Sequence, residues 1–290
     1  MAHKATIICD SVSPSGVRLT TFEVTFPRIV LAEFNTHRVF SRNSASSRAI
    51  SVDKMLKMVE DEPYIPMHWG KNQSGMQADV ELGVHEQDKA RVSWFAARND
   101  AVRHARRLLE IGVHKQITNR LLEPFLWHTV VVTSTEWSNF FNLRCHRDAH
   151  PEIRHISEMM RDLYISCQPM QIGMGQWHLP YVGLEERVEF AKLGVKAWCI
   201  SSARCAAVSY LRQDSKNVHG QLALYNKLLA GGHMSPLEHP ATPINVGVRL
   251  HSDVAYMDCC NNFWAGNFRG WFQHRKEIVG EENMLGHKKS

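Results

Sequence analysis

Residues 17–48 read VRLTTFEVTFPRIVLAEFNTHRVFSRNSASSR, an apolar first half followed by a polar second half. In residues 17–26, apolar strand-forming side chains alternate with polar ones, which predicts a β-strand. Pro27 favours the first turn of a helix, because the N–H that proline lacks has no partner there, and residues 29–36 continue that helix. The strand and helix therefore form a rigid support for the polar residues 35–48.

The polar segment, residues 35–48, carries arginine, histidine, amide and hydroxyl side chains and almost no bulky apolar ones. Such a segment cannot form a hydrophobic core. Arginine guanidiniums pair with phosphate oxygens through two N–H groups at once, and hydroxyls and amides complete the shell around such an anion. The segment is therefore predicted to bind a polyanion.

The remaining pattern predicts one domain over residues 1–290, since no internal repeat or linker interrupts it. Strands are expected at residues 5–9, 128–133 and 244–250, and residues 63–76 form a loop rich in Pro and Gly. Helices are expected at residues 51–60, 85–111, 136–143, 151–167, 195–211 and 220–229. For the helix at 85–111 the expected core residues are Val92, Phe95, Ala96, Val102, Ala105 and Leu109.

The composition narrows the class of partner. With 34 basic and 29 acidic residues the net charge is +5, which suits anionic small molecules such as nucleotides as well as it suits nucleic acid. The odd number of scattered cysteines favours reduced thiols and a cytoplasmic location. No apolar run is long enough for a membrane helix, and the N-terminus does not resemble a signal peptide. We therefore expect no membrane partner.

Known short motifs do not account for the chemistry. Neither a G-x-G-x-x-G fingerprint nor a P-loop is present. His146 and His150 stand four residues apart, as metal ligands on a helix can, but no third ligand accompanies them, so no metal site is predicted.

The polar segment resembles the signature of a known family. His37, Arg38, Ser41, Asn43, Ser46 and Arg48 match the pattern R-H-R-x-x-S-x-N-E-x-S-x-R of the flavin-dependent thymidylate synthases, the ThyX family. The family's preceding strand, T-F-x-V-x-A-P, is matched without a gap by residues 21–27. Its proline stands ten residues before the histidine, as Pro27 stands before His37.

Two distant blocks also resemble this family. Residues 139–144, NFFNLR, match its N-F-x-N-L-R, and Arg120 stands four residues before Pro124, as a nucleotide-binding arginine does in the family. Residues 233–239, HMSPLEH, match its H-x-T-P-F-E-H. Ser235 and Pro236 also suit a helix N-cap followed by proline, whose free N–H groups would face a flavin phosphate.

The order of these blocks differs from that of the family, in which the histidine block comes first. The chain therefore resembles a circular permutant, and residues 240–290 would be an added or replaced region. In a rival alignment residues 270–275, GWFQHR, correspond to the family's W-x-R-H-R. Nothing like the rest of the signature follows them, so we favour the permuted order, in which His274 and Arg275 still reach the site.

The resemblance implies an α/β (α+β) fold with a mixed sheet flanked by helices, and a homotetramer with active sites shared between subunits. It implies a thymidylate synthase that binds FAD and uses NADPH and 5,10-methylenetetrahydrofolate to methylate dUMP, without a nucleic-acid partner. Arg144 would polarise the pyrimidine ring. The nucleotide would be bound by Ser44, Ser46, Ser47, Arg48, Arg120 and Arg144. FAD would be bound by His37, Arg38, Asn43, Asn139, His233 and Ser235.

Three departures from the family pattern keep alternatives open. Thr36 stands where the family has arginine, Ser44 where it has glutamate, and Ala49 where it often has tyrosine. The change at position 36 would remove a phosphate or flavin contact, and the change at position 44 would remove a negative charge next to the nucleotide. Lys115, Arg42 or the loop at residues 70–73 are candidates for compensating them. The alternatives are C5 modification of another pyrimidine nucleotide, such as methylation or hydroxymethylation of dCMP, and a non-catalytic nucleotide-binding protein.

Overall fold

The main sheet is built from strands β1 Lys4–Val12, β2 Arg18–Pro27, β3 Ser41–Ser44, β4 Trp127–Ser134 and β5 Met170–Gln171. The computed structural model describes residues 2–78, 80–211, 217–244 and 263–281. In that part of the chain the strand order is β3-β4-β2-β1-β5. The first four strands pair antiparallel and β5 lies parallel to β1, so the sheet is mixed.

The helices surround this sheet. After a 3-10 turn at Arg28–Val30 they are α1 Leu31–Asn35, α2 Val52–Asp61, α3 Val84–Glu110, α4 Lys115–Thr118, α5 Ser138–Arg144, α6 Pro151–Ser166, α7 Leu184–Lys192, α8 Ala197–Ala207 and α9 Val218–Ala230. Pro27 itself ends β2, and the turn after it is 3-10 before it becomes α-helical. The other predicted helices are confirmed, with small shifts at their ends. The predicted strand at 244–250 lies, beyond residue 244, outside the described residues.

The C-terminal region adds short strands. They are β6 Ala241–Pro243, β7 Trp264–Ala265, β8 Phe268–Arg269 and β9 Trp271–Gln273. β9 pairs antiparallel with β6, and β7 with β8. Because β6 directly follows the histidine block, this pairing places β9 beside that block.

One face of the sheet is a large apolar core. Phe22, Val24 and Phe26 alternate along β2 and pack with Phe34 of α1 and Phe140 of α5, all nearly fully buried. Helix α6 adds Ile153, Ile156 and Met160 to the same cluster. Since α1 and α5 are both fixed to this face, the residues that follow or end them are brought close together.

The opposite face is also covered. Val131 of β4 packs against Cys205 of α8 and Val208 just after it. Helices therefore flank the sheet on both faces, which confirms the predicted fold class. Threonines on this second face of β2 are consequently buried, Thr21 completely and Thr25 nearly so.

These buried polar groups pair with one another in a chain of hydrogen bonds across the sheet. His178 bonds Ser11 Oγ through Nδ1 (2.9 Å) and Thr21 Oγ1 through Nε2 (2.8 Å). Thr21 Oγ1 lies 2.6 Å from Thr133 Oγ1, which lies 2.8 Å from His239 Nδ1. All five side chains are fully buried. The chain joins β1, β2 and β4 to the histidine block.

Helix α3 departs from its predicted core. Val102 and Ala105 are buried against α2 and the segment after α4, as expected. Val92 and Leu109, in contrast, are 69% and 38% exposed, and Ala96 is also exposed. The prediction was wrong for these residues because in the single chain only one side of the helix, between Trp94 and Ala105, packs against the rest of the protein.

Stability is expected to fall as the pH drops from 6.5 towards 5. Burial lowers the pKa of His128, His178 and His239 to about 3. The unfolded chain takes up a proton at each of these histidines near pH 6.5, whereas the native chain does not. Each depressed pKa therefore stabilises the fold above pH 6.5, and up to about 1.4 kcal/mol per pH unit is lost below it. Urea unfolding at several pH values measures this slope.

The control compares one buried with one exposed histidine. His239→Asn removes one of the depressed groups, so its slope should be shallower than that of wild type whatever its absolute stability. His219→Asn, at an exposed position of α9, should leave the slope unchanged. Equal slopes in the two variants would contradict the assignment.

Candidate functional site

The centre of the candidate site is the guanidinium of Arg144, at the end of α5. Its Nε donates to Nε2 of His37 (3.0 Å), and its Nη2 donates to the Glu33 carbonyl (3.2 Å) and to Thr36 Oγ1 (2.9 Å). Thr36 Oγ1 in turn donates to the same carbonyl (2.7 Å). Among the residues that the structure describes, the acceptors bonded to this arginine lie at or just after the C-terminal end of α1.

His37 is held as a neutral acceptor. Its ring is 7% exposed and packs against Phe40 and Phe140. Burial, helped by the positive charges of Arg144 and Arg42, lowers the pKa of His37 to about 4. At neutral pH the ring is therefore uncharged, and its Nε2 lone pair accepts from Arg144 while the proton lies on Nδ1.

Thr36 explains one departure from the family pattern. The sequence led us to expect a lost anion contact where arginine is replaced. The structure shows that the threonine hydroxyl instead braces the guanidinium of Arg144. An arginine at position 36 would have no side-chain oxygen to accept this hydrogen bond. The role of Thr36 is therefore visible only together with Arg144.

The signature strand β3 alternates buried and half-buried residues. Ser41 and Asn43 point inward, and Asn43 Oδ1 is buried with no hydrogen-bond partner among the residues that the structure describes. Arg42 donates to the Phe34 carbonyl (3.3 Å). A buried acceptor without a partner is costly, so Asn43 is a candidate for contact with a bound group.

The turn after β3 is held from the segment 115–120. Asn119 donates through Nδ2 to the carbonyls of Ser47 (2.7 Å) and Ile50 (3.1 Å), and Lys115 donates to the carbonyl of Ala49 (3.1 Å). Lys115 therefore braces the backbone here. Sequence reasoning missed Asn119; its only signal was an amide directly before Arg120.

The remaining predicted nucleotide residues lie on or beside this turn. Ser47 is buried, Ser44 and Ser46 are half-buried, and Arg48 is exposed. Arg120 is exposed as well and pairs with Glu123 at 2.7 Å. Because Asn119 is hydrogen-bonded to the turn, the backbone of the next residue, Arg120, also lies close to the turn. The two exposed arginines are thus carried on contacting segments.

The histidine block packs against β3 as a 3-10 turn at Ser235–Glu238. The predicted helix N-cap at Ser235 is wrong: Met234 holds the cap position, no side chain caps the turn, and four residues are too few for a helix with a free N-terminal turn. His233 and Ser235 are exposed, while His239 is buried on Thr133.

Several of the predicted site residues are not brought close to Arg144 or to the turn after β3 by any contact among the residues that the structure describes. Asn139, in the first turn of α5, and Arg38 are exposed at the surface. His274 is buried, bonded to Tyr225 Oη and Glu277 (both 2.8 Å), and Arg275 pairs with Glu238 and Glu281. His274 is therefore engaged away from the proposed ligand contacts, whereas Arg275 reaches the histidine block through Glu238.

Within the described ranges, no three or more His, Cys, Asp or Glu residues are grouped so as to hold a metal ion. His150 instead caps α6 by accepting from the Glu152 N–H. None of the helices described is both long and apolar enough to cross a membrane.

A family comparison matches residues 13–170, more than half of the 290-residue chain, to the family described as thymidylate synthase complementing protein. The chain belongs to this family. The ThyX match includes both the signature at 37–48 and the block at 139–144. It ends before residues 233–239, so the assignment of the histidine block and the circular permutation stay predictions.

The solved structures that are similar to this chain are more remote. A UMP/dUMP methylase, PolB from Streptomyces cacaoi, is similar in its complex with 5-Br UMP at 19% identity and a TM-score of 0.46, over 56% of this chain and 88% of that chain. Its complex with 5-Br dUMP gives 18% identity, a TM-score of 0.46 and coverages of 56% and 90%. No curated protein matches.

Removing the Arg144 charge should raise the pKa of His37. Arg144→Gln takes away a positive charge that disfavours the imidazolium, but burial, the larger cause, remains. The expected pKa therefore lies between about 4 and the ordinary 6.5. Histidine-selective NMR titration, with His37→Gln to assign the signal, measures it.

The matched control is Arg154→Gln on α6. It also removes one positive charge, but Arg154 is not among the residues that shift the pKa of His37. It should leave the His37 titration where it is in wild type. An unshifted His37 in Arg144→Gln would show that the two side chains do not face each other in solution.

Proposed function

We propose that this protein is a flavin-dependent thymidylate synthase, which methylates C5 of dUMP to dTMP with 5,10-methylenetetrahydrofolate and NADPH. Family membership supports a pyrimidine-nucleotide enzyme. The observation that carries the proposal is the placement of Arg144 by His37, Thr36 and the Glu33 carbonyl. This placement supports a role in which a fixed cation stabilises charge on a pyrimidine.

The proposed role of Arg144 is electrostatic. C5 of a uracil becomes nucleophilic when negative charge accumulates in the ring, and an oriented guanidinium stabilises that charge without having to reorganise. Nε and Nη2 are occupied by protein acceptors, which fixes the plane of the group. Because neutral His37 does not neutralise the guanidinium, as a carboxylate would, its full positive charge remains available to the nucleotide.

The nucleotide phosphate and sugar are assigned to the turn after β3. Arg48 and Arg120 supply positive charge, and Ser44, Ser46 and Ser47 supply hydroxyls. Both arginines are exposed, so a ligand or a neighbouring subunit can reach them, and Arg120 would exchange or share its ion pair with Glu123. The bonds from Asn119 and Lys115 to the turn backbone support this assignment, because they hold the turn in a defined position.

The cofactor assignment rests on the donor set around β3. Asn43 Oδ1 is buried without a partner in the described part of the chain, which fits a cofactor hydroxyl or ring N–H. His37 has its Nδ1–H to offer, since Nε2 is used by Arg144. The exposed Arg38, Asn139, His233 and Ser235 complete the proposed FAD contacts. When bound, the flavin supplies the hydride and carries the one-carbon group.

A homotetramer with shared active sites, in the cytoplasm, belongs to the same proposal. Large apolar side chains are exposed along the N-terminal half of α3, Val84 at 79% and Val92 at 69%. Association with other copies of the chain would cover them. The cysteines that the structure describes are all free, which fits a reducing compartment.

The direct test is spectroscopy followed by turnover. The purified protein should show flavin absorbance that is bleached by NADPH, and should form dTMP from dUMP and methylenetetrahydrofolate. Mass spectrometry of parallel reactions with dUMP, UMP and dCMP measures base and group specificity, and dUMP is expected to be the methylated substrate. Colourless protein without product would refute the proposal, and a modified dCMP would replace it.

Thr36 should matter through its hydroxyl. Thr36→Val keeps the shape but removes an acceptor from a charged donor, a loss worth about 1.5–3 kcal/mol, so kcat/KM for dUMP should fall at least about tenfold. Thr36→Ser retains the oxygen and should stay near wild type. Steady-state kinetics with intact FAD content measures both.

Arg144→Lys shows how large the loss of activity is when the guanidinium itself is removed, for comparison with the Thr36 variants. Lysine keeps the charge but cannot bond His37, Thr36 and the Glu33 carbonyl in one plane, so kcat should fall about 10²- to 10³-fold. Arg154→Lys on α6 is the matched control. If Thr36→Val and Thr36→Ser are equally active, the brace has no functional role.

A further inference from the structure

The C-terminal region carries one buried side chain that touches both halves of the proposed site. Gln273, at the end of β9, is 1% exposed. Its Nε2 donates to Ser41 Oγ in the signature strand (3.1 Å) and to the carbonyl of Glu238 in the histidine block (3.1 Å). Its Oε1 accepts from the Asn267 N–H (3.3 Å). Both donors and the acceptor of this amide are therefore in use.

Glu238 is held at its other end as well. Its carboxylate accepts from Arg275 Nη1 at 2.5 Å, and Arg275 Nε donates to Glu281 at 2.6 Å. The main chain of the histidine block is thus fixed by Gln273 and its side chain by Arg275, two residues further on. This arrangement fixes the block in register rather than only covering it.

The strand that carries Gln273 has an anchor of its own. Trp271 is fully buried and donates through its indole N–H to the Val17 carbonyl (3.1 Å). Gly270 precedes it with φ +71°, and a Cβ there would lie 3.1 Å from the Val17 side chain. The backbone of β9 therefore approaches the start of β2 closely, and Gln273 projects from a rigid support.

We propose that Gln273 is a positioning residue, which fixes the histidine block against the signature strand and so makes residues 263–281 part of the functional site. The ligand that the signature strand and the histidine block bind rests on the proposed function, but the way Gln273 aligns these two segments does not. The family match ends at residue 170, so it assigns no role to this region. Gln273 acts through Ser41 and Glu238 and needs no contact with a ligand.

The test compares Gln273→Met and Gln273→Glu with wild type. Methionine fills the volume but offers no N–H, and glutamate keeps the shape but presents an acceptor to the Glu238 carbonyl. Both should weaken FAD binding about tenfold, the worth of roughly one hydrogen bond, while KM for dUMP changes less than about threefold. If Gln273 only fills space, Gln273→Met, which keeps the volume without adding a charge, should bind FAD like wild type.

Hydrogen exchange supplies a readout that does not depend on flavin. Backbone amides in residues 41–44 and 233–241 should exchange faster in both Gln273 variants than in wild type. The increase should exceed the one expected from the loss of global stability, which the melting temperature measures. The control, Gln87→Met, removes a comparable amide-to-backbone bond, to the Leu82 carbonyl just before α3, and should change neither segment. If a Gln273 variant fails to fold, Ser41→Ala removes one acceptor and should give a smaller change of the same kind.

The outcomes separate the two proposals. Wild-type protein that binds no FAD refutes the proposed function, yet the exchange data still decide whether Gln273 sets the register. Unchanged exchange in both segments, or equal effects of Gln87→Met, overturns the positioning role even if the enzyme is a thymidylate synthase.

Discussion

Covering the sheet on both faces imposes a constraint on every polar side chain in its central strands. Thr21 and Thr133 lie where water does not reach, and a buried hydroxyl without a partner costs about 1–3 kcal/mol. They bond each other and two histidines, His178 and His239. Because burial lowers the pKa of both histidines to about 3, these rings stay neutral and can accept or donate without a buried charge.

This buried chain decides how the two parts of the molecule meet. His178 and His239 both come from the half of the protein beyond the family match, whereas the threonines come from β2 and β4. The bond to His239 brings the histidine block to the sheet, and Gln273 then fixes it on Ser41. On the opposite face, the apolar core holds α1 and α5, so that Arg144 meets His37 and Thr36.

Much of the fold was readable from the sequence. Apolar periodicity located the longer helices and strands β1, β2 and β4, but not the short β3 and β5 or helices α4 and α7. The spacing from Pro27 to His37 located the signature. Periodicity was misleading for α3, because the apolar pattern does not say whether a neighbour is present: Val92 is patterned as core but exposed in the single chain. It was also silent on the second face of β2, where threonines look like solvent-facing residues but are buried.

The candidate site was predicted in part. Local motifs named Arg144, His37 and the turn at 46–48, because residue type and short-range spacing are properties of the sequence. The partner of each group was not predictable. Thr36 was interpreted as a loss of charge, whereas the structure makes it an acceptor for Arg144, more than a hundred positions along the chain. Ser235 was interpreted as a helix cap, but only a 3-10 turn follows it.

The sequence by itself determined most of the longer secondary-structure elements, the motif content and the family, since these depend on neighbouring residues and their spacing. Only the tertiary structure decided which polar groups satisfy one another: Arg144 with Thr36, Thr133 with His239, and Gln273 with Ser41 and Glu238. The physical reason is that hydrogen bonds act over about 3 Å in space. Distance along the chain carries no information about such a bond until the sheet and its helices have packed.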